Sequence, residues 1–224
     1  MPRQLSFSLP VRPALGRDDF FVSDANATAV AMVEAWQDWP DKKLILAAPE
    51  GAGKTHLTLV WAELSGAEVV EASDLSEADV PRLITAPVAV ENCDRIIGDP
   101  QAERALFHLH NLALAERRSL LFTARSAPRH WPFTLPDLAS RMQATPTVQI
   151  DAPDDALLLA VLTKLFQDRQ LAPPPDLAPY LIRRIDRSFA TARAVVEQLD
   201  AAAMAAQRPL TRALARQVLD KPSE

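Results

Sequence analysis

The stretch that decides the fold of this 224-residue chain is Lys42-Lys-Leu-Ile-Leu-Ala-Ala-Pro-Glu-Gly-Ala-Gly-Lys-Thr-His-Leu57. An apolar run at residues 44–48 precedes a turn with two glycines, and apolar residues at helical spacing follow it. Glycine lets the backbone curl so that several N–H groups point inward, and the helix start adds the positive end of its dipole. A strand, a turn and a helix in this order predict a phosphate-binding loop.

This loop supplies most of the predicted nucleotide contacts. We expect Lys54 to reach the terminal phosphates and the Thr55 hydroxyl to bind Mg²⁺. The pattern begins with Ala48 where glycine is usual, but the later glycines are the ones that shape the turn. An ordinary strand–loop–helix connection is the alternative. The predicted contacts are Pro49, Glu50, Gly51, Ala52, Gly53, Lys54, Thr55 and His56.

Composition limits the class of protein. A hydrophobic content of 48% with mixed charge predicts a folded globular protein that can bury a good core. The single cysteine, Cys93, excludes an internal disulfide framework. With no signal pattern and no membrane-spanning apolar run, it favours a reducing cytoplasm. A net charge of −5 argues against broad, sequence-independent DNA binding.

Apolar periodicity predicts alternating strands and helices, followed by helices alone. The predicted strands cover residues 43–48, 67–71, 87–91, 119–123 and 147–150. A helix is predicted from residue 23 or 24 to 36, another after the phosphate loop, and others over 73–83, 100–118 and 135–142. The last part is predicted to contain helices at 153–170, 176–186, 188–206 and 210–219.

This order predicts an α/β fold with a five-stranded parallel sheet sandwiched by helices, and then a small all-helical lid domain. We expect an extended tail at 1–17, a nucleotide-binding domain at 18–152 and the lid at 153–224. A ligand should lie at the carboxyl ends of the strands, where the phosphate loop is.

Several segments together resemble the Hda family of DnaA-related AAA+ proteins, and the resemblance covers nearly the whole chain. It implies a bound ADP or ATP with Mg²⁺, and a negative regulator of replication initiation that stimulates ATP hydrolysis by DnaA. The segments that carry it are Gln4-Leu-Ser-Phe-Ser-Leu9, Gly51-Ala-Gly-Lys-Thr-His-Leu57, Leu135-Pro-Asp-Leu-Ala-Ser-Arg141, Ile185-Asp-Arg-Ser-Phe189 and Glu197-Gln-Leu-Asp200.

The segment that ends at Arg141 resembles the box that carries the arginine finger of this family. The resemblance implies that Arg141 points at the ATP of a neighbouring subunit. A guanidinium there stabilises the charge that develops during phosphoryl transfer. The alternative is a favourable charge at a helix C-terminus or a surface ion pair.

The N-terminal peptide resembles the motif by which family members dock on the DNA polymerase sliding clamp. In an extended peptide Leu5, Phe7 and Leu9 lie on one side and fill an apolar groove, while Gln4 makes polar contacts. The family usually has Leu and Pro where this chain has Phe7 and Ser8. An edge strand that packs on its own domain is the alternative.

The third strand departs from the pattern of an active AAA+ ATPase, which ends in Asp followed by a second acidic residue. Here it ends in Glu91-Asn92. Glu91 keeps the charge for Mg²⁺, but Asn92 is not a general base. We therefore expect the chain to hold nucleotide and to hydrolyse it slowly.

Two further positions are expected near the terminal phosphate. Thr123 is the candidate polar sensor at the end of the fourth strand, and Arg125 follows where the family often has Asp. Ala190 stands at the position of the lid sensor arginine, and Arg193, one helical turn later, is its candidate substitute. A solvated helix face is the alternative for Arg193.

The expected partners are proteins: the sliding clamp and DnaA, with a homodimer also compatible. The resemblance gives no DNA-reading domain after the lid, and only residues 72–86 stand in place of the DNA-binding insertion of DnaA. We expect no direct sequence-specific DNA binding and no membrane association. A self-sufficient ATPase, such as a helicase loader, is the alternative. A phosphotransferase is a third interpretation, and the helical C-terminal segment and the Leu135–Arg141 segment argue against it.

Overall fold

The computed structural model describes residues 21–220, and a five-stranded sheet forms the centre of their larger domain. Its strand order is β2-β3-β4-β1-β5, and all paired strands are parallel. The prediction of a five-stranded parallel sheet is confirmed. The strands are β1 (Lys43–Ala47), β2 (Glu68–Glu71), β3 (Val88–Glu91), β4 (Leu120–Ala124) and β5 (Thr147–Gln149).

Helices connect the strands and then continue alone, as predicted. The first domain contains α1 (Ala27–Glu34), α2 (Lys54–Ser65), α3 (Val80–Leu83), α4 (Pro100–Ala115) and α5 (Pro136–Ala144). The helical part contains α6 (Asp155–Asp168), α7 (Leu177–Ile182), α8 (Phe189–Ala206) and α9 (Arg212–Leu219). Within the described residues, no helix is both long and apolar enough to span a bilayer.

The sheet is buried on both faces, which explains its continuous apolar strands. Every residue of β1 is buried, and successive side chains enter different cores. Ile45 packs with Phe122 and Leu106 on one face, whereas Leu44 and Leu46 pack on the other. This inner strand therefore holds the loop that follows it on a rigid base.

The four last helices have a core of their own. Its buried members run from Leu158 in α6 to Ala215 in α9. Polar side chains explain where three of these helices begin, because each accepts hydrogen bonds from otherwise unpaired backbone N–H groups. These caps are Asp154 before α6, Ser188 before α8 and Thr211 before α9.

Several predicted helix boundaries are wrong. Residues 73–83 do not form one helix: a 3₁₀ turn covers residues 72–74, and α3 has only four residues. Pro81 lies in the first turn of α3, where its missing N–H is tolerated, and so favours a start there. The first helix ends at Glu34, and two 3₁₀ turns follow it before β1.

Candidate functional site

The phosphate loop lies between β1 and α2, at the carboxyl edge of the sheet. The Ala48 N–H donates to the carbonyl of Ala124 at 3.0 Å, which ties the loop to β4. Gly51 and Gly53 have φ values of 75° and 94°, a region that glycine enters at little cost. The chain then turns directly into α2 at Lys54.

Lys54 is nearly buried inside this loop. Its Nζ donates to the carbonyl oxygens of Ala48 at 2.7 Å and Pro49 at 3.0 Å. Burial lowers the pKa of Lys54, Asp94 opposes this shift, and Arg125 adds to it. Because these two partners are neutral carbonyl groups, they do not cancel the positive charge of the ammonium, which remains available to an anion.

A cleft of about 570 Å³ opens between the loop and the helical domain. This volume is in the usual range for small-molecule sites. Six predicted residues of the loop and α2 lie together here with Arg193, whereas Pro49 and Ala52 do not line the cleft. Its lining includes Glu50, Gly51, Gly53, Lys54, Thr55 and His56 on one side and Leu157, Val161, Phe189 and Arg193 on the other.

The helical domain touches the phosphate loop directly. The N–H of Phe189, the first residue of α8, donates to the Gly51 carbonyl at 2.8 Å. A β-carbon at Gly51 would overlap the Ser188 hydroxyl, the cap of α8. Only glycine therefore allows both the turn and this close approach. Arg193, about one turn along α8, is exposed and faces the same cleft.

Glu91, at the end of β3, lies close to Thr55. Burial raises the pKa of the Glu91 carboxyl, a hydrogen bond from Thr55 opposes this shift, and Glu71 adds to it. Its Oε1 is buried and has no hydrogen-bond partner among the described residues. Carboxylate and hydroxyl oxygens are ligands that Mg²⁺ accepts, so Thr55 and Glu91 fit a divalent cation.

Asn92 takes the position that follows Glu91, and its contacts separate Thr123 from the cleft. Its φ is 59°, and its backbone N–H donates to the Thr123 hydroxyl at 3.0 Å. Its side-chain amide donates to Glu71 at 2.7 Å. Asn92 lines the cleft, whereas the predicted sensor Thr123 is buried behind it.

Three cationic residues that line the cleft were not predicted as site residues: Arg95, Arg125 and Lys164. Arg95 and Arg125 both line it, and Arg125 contacts Glu50 of the phosphate loop at 3.0 Å. The sequence contains a signal that could have identified Arg125, because this residue immediately follows β4. Residues after parallel strands meet at one edge of the sheet, the edge that holds the loop.

Arg141 lies away from this cleft. Its guanidinium is 5.1 Å from the ring centroid of Phe107. It also lies near Lys43, whose pKa is lowered by burial, raised by Asp41 and lowered further by Arg141. Lys43 is the first residue of β1, and the phosphate loop follows the last one. Arg141 therefore lies near the opposite end of this strand from the loop.

A buried carboxylate holds the segment that leads to Arg141. Glu103 accepts backbone N–H groups from Gly98 at 2.8 Å and Leu135 at 2.7 Å, and both the N–H and the hydroxyl of Thr134. Burial alone would raise the pKa of Glu103, but these hydrogen bonds lower it overall. Glu103 therefore stays charged at neutral pH and positions the start of α5.

His110, which lies beside Lys43, is expected to make the stability of the fold depend on pH. Nε2 of its buried ring lies 3.1 Å from Lys43 Nζ. Burial lowers the pKa of His110 to about 4, and Lys43 and Arg141 add to the shift. In the unfolded chain a histidine binds a proton near pH 6.5, whereas His110 in the folded chain stays neutral at that pH. Stability should therefore decrease from pH 6.5 to about 4, by about 3 kcal/mol from this group.

Urea unfolding at several pH values between 7 and 4.5 measures this contribution. We expect His110→Gln to flatten the pH dependence relative to the wild type. His108→Gln is the matched control, because His108 is exposed on the same helix. Equal slopes for the two variants would contradict the assignment.

One family model matches the helical part of the chain. Residues 155–219 match the model described as the lid domain of Hda, and this segment contains α6 to α9.

Solved structures are similar to nearly the whole chain. Domain III of the Thermotoga maritima replication initiation protein DnaA has a TM-score of 0.78 at 16% identity, over 96% of this chain and 100% of that chain. Replication initiator DnaA bound to AMPPCP and single-stranded DNA has a TM-score of 0.68 at 17% identity, over 84% of this chain and 65% of that chain.

A DNA motor has the same architecture. The RuvB Holliday junction branch migration motor of Thermotoga maritima has a TM-score of 0.73 at 14% identity, over 94% of this chain and 72% of that chain. These identities show a shared fold and not a shared activity. The prediction of an AAA+ fold with a helical lid is confirmed.

Proposed function

We propose that this chain, whose helical part matches the lid domain of Hda and whose fold is that of DnaA domain III, is a negative regulator of DNA replication initiation. On this proposal it docks on the DNA sliding clamp, holds a nucleotide, and stimulates ATP hydrolysis by DnaA through Arg141. One observation carries the proposal: the phosphate loop and the lid form a cleft, while Arg141 lies outside it.

ADP or ATP with Mg²⁺ is the proposed ligand of the cleft. The Lys54 ammonium donates to two carbonyl oxygens of the loop, and the first residues of α2 line the same cleft. The positive end of the helix dipole there favours an anion. Thr55 and Glu91 are the proposed cation ligands, and Arg193 is the proposed lid contact to the phosphates. A bound nucleotide would also touch α8, which already contacts Gly51.

The protein's own hydrolysis is proposed to be slow. Asn92 lines the cleft where an acidic base would be needed, and an amide does not accept the proton of an attacking water. Its NH₂ group is already bound to Glu71. The nucleotide would then act mainly as a ligand that holds the lid against the loop.

The reaction that this protein promotes is proposed to occur on DnaA. Arg141 is partly exposed near the far end of β1, away from its own cleft, so a neighbouring subunit is the site that it can complete. A guanidinium supplied by a second protein accelerates phosphoryl transfer by stabilising charge, so the protein that supplies it needs no general base. The product would be DnaA with bound ADP.

Docking on the clamp rests on sequence, because Gln4, Leu5, Phe7 and Leu9 lie outside the described residues. The test is a pull-down with purified clamp, combined with ATP hydrolysis by DnaA in the presence of clamp loaded on DNA. We expect wild-type protein to bind the clamp and to activate DnaA only when loaded clamp is present.

The variants sharpen this test. Gln4→Ala/Leu5→Ala should lose both clamp binding and activation. Ser6→Ala/Ser8→Ala is the matched control, since in an extended peptide these side chains lie opposite the apolar row of Leu5, Phe7 and Leu9, and it should retain both. Failure of the wild-type protein to bind the clamp would remove this partner from the proposal.

A self-sufficient ATPase, such as a helicase loader, is the second candidate. It is favoured by the two carboxylates of Glu91 and Asp94, which lie close enough to Lys54 to affect its pKa, although burial has the largest effect. Robust ATP turnover by the purified chain alone, lost in Lys54→Ala, would favour this candidate.

A further inference from the structure

Arg125 is held at the edge of the cleft by its backbone, and its side chain is half-exposed. It follows Ala124, whose carbonyl accepts the Ala48 N–H of the phosphate loop at 3.0 Å. Its own N–H donates to Asp94 Oδ1 at 3.2 Å. The guanidinium lines the cleft together with Lys54. A fixed backbone and a half-exposed cation are suited to a ligand that is present only part of the time.

The contact that now occupies Arg125 is a weak one. Its Nη2 lies 3.0 Å from Glu50 Oε2, and the side chains are 50% and 72% exposed. Exposed ion pairs contribute little, because water screens the charges and both side chains lose freedom. A guanidinium has five N–H donors, and Glu50 uses one of them. A phosphate group, with more charge and more acceptor oxygens, is a stronger partner for this fork.

We propose that Arg125 is a second cation for the terminal phosphate of a nucleoside triphosphate, and that Glu50 competes with that phosphate for it. The proposal rests on the proposed nucleotide binding and adds the group that distinguishes ATP from ADP. With ADP, Arg125 stays on Glu50. With ATP, it leaves Glu50 for the additional phosphate.

The location of Arg125 favours the terminal phosphate over the base or the ribose. β4 lies beside β1 in the sheet, so the residue after β4 lies beside the loop that follows β1. Arg125 and Lys54, the residue expected at the terminal phosphates, line the same cleft. Two cations that lie so close together favour a ligand with high negative charge.

Isothermal titration of the purified full chain with Mg²⁺ and either ADP or AMPPCP tests the proposal. We expect Arg125→Ala to weaken AMPPCP binding about tenfold to a hundredfold, the range for a charge-assisted hydrogen bond, and ADP binding by about threefold or less. Glu50→Ala should act in the opposite direction and strengthen AMPPCP binding about twofold to fivefold, since the competing carboxylate is gone.

Two further variants separate the effect of the Arg125–Glu50 pair on AMPPCP binding from a general change in nucleotide affinity. In Glu50→Ala/Arg125→Ala the gain from Glu50→Ala should disappear, because the cation that it releases is absent. Arg82→Ala is the matched control: Arg82 pairs with Glu68 at 2.9 Å on the surface and does not line the cleft. It should change neither affinity.

The results that would overturn the role of Arg125 differ from those that would overturn the proposed function. The proposal is overturned if Arg125→Ala weakens ADP and AMPPCP equally or changes neither, or if Glu50→Ala weakens AMPPCP binding. In those cases the wild type still binds nucleotide, and the proposed function stands. Wild-type protein that binds neither nucleotide would overturn the proposed function and this role together.

Discussion

Arg141→Ala is expected to abolish the stimulation of DnaA, with a loss of about 10³–10⁵-fold in the stimulated rate of ATP hydrolysis. The reason is that the guanidinium would stabilise charge that develops only in the transition state at the partner's nucleotide. The chain's own cleft should be unaffected, because Arg141 does not line it. Nucleotide binding and clamp binding should therefore stay at wild-type levels.

Single-turnover hydrolysis by DnaA with clamp loaded on DNA measures this effect. Arg141→Lys keeps a positive charge but loses the planar fork, so it should recover only a small part of the rate. Arg129→Ala is a matched control, because Arg129 is also exposed and its Nε contacts only His130 among the hydrogen bonds of the described residues. Normal stimulation by Arg141→Ala would exclude the finger.

Glu103→Ala is expected to be the most destabilising single substitution considered for this chain, by roughly 3–5 kcal/mol in the free energy of unfolding. It removes the acceptor for three backbone N–H groups and the Thr134 hydroxyl in a fully buried site. Glu103→Gln keeps one acceptor oxygen but turns an NH₂ group toward the same donors, so its loss should be smaller, roughly 1–3 kcal/mol.

Urea unfolding at pH 7 measures both losses. Arg104→Ala, an exposed change on the next residue of α4, should alter stability by less than about 0.5 kcal/mol. The hydrogen bonds hold the pKa of Glu103 below 4.5 against the effect of burial. Its stabilisation should therefore be present above pH 4.5 and be lost as the pH falls through the lowered pKa. Equal stability of Glu103→Ala and Arg104→Ala would contradict this account.

The same carboxylate connects stability to the proposed finger. Glu103 binds Thr134 and Leu135 immediately before α5, the helix that carries Arg141. In a Glu103→Gln protein that remains folded, we expect weaker stimulation of DnaA with unchanged clamp binding.

The phosphate loop was predictable from sequence because its signal is local. A buried strand, two glycines in the left-handed region and a helix that begins at Lys54 follow one another within about a dozen residues. The parallel sheet was predictable for a similar reason, since strands buried on both faces are apolar throughout. Helix ends were less predictable, as at α3, where the placement of Pro81 favours the start.

The contacts that complete the site were not predictable in the same way, because they join distant parts of the chain. Arg125 and Glu50 are 75 positions apart, and no local pattern pairs them. Thr123 was expected at the cleft, but the left-handed turn at Asn92 covers it.

Glu103 is three residues before Leu106 and seven before His110, so helical spacing alone would have placed it on the buried side of α4.

The most direct test of the central claim is to determine whose nucleotide is hydrolysed. ATP labelled at the terminal phosphate is loaded either on DnaA or on this chain, and the two proteins are then mixed with clamp loaded on DNA. We expect label to be released from DnaA, while label on this chain is retained over the same time. Release from this chain, with the ATP on DnaA intact, would contradict this expectation.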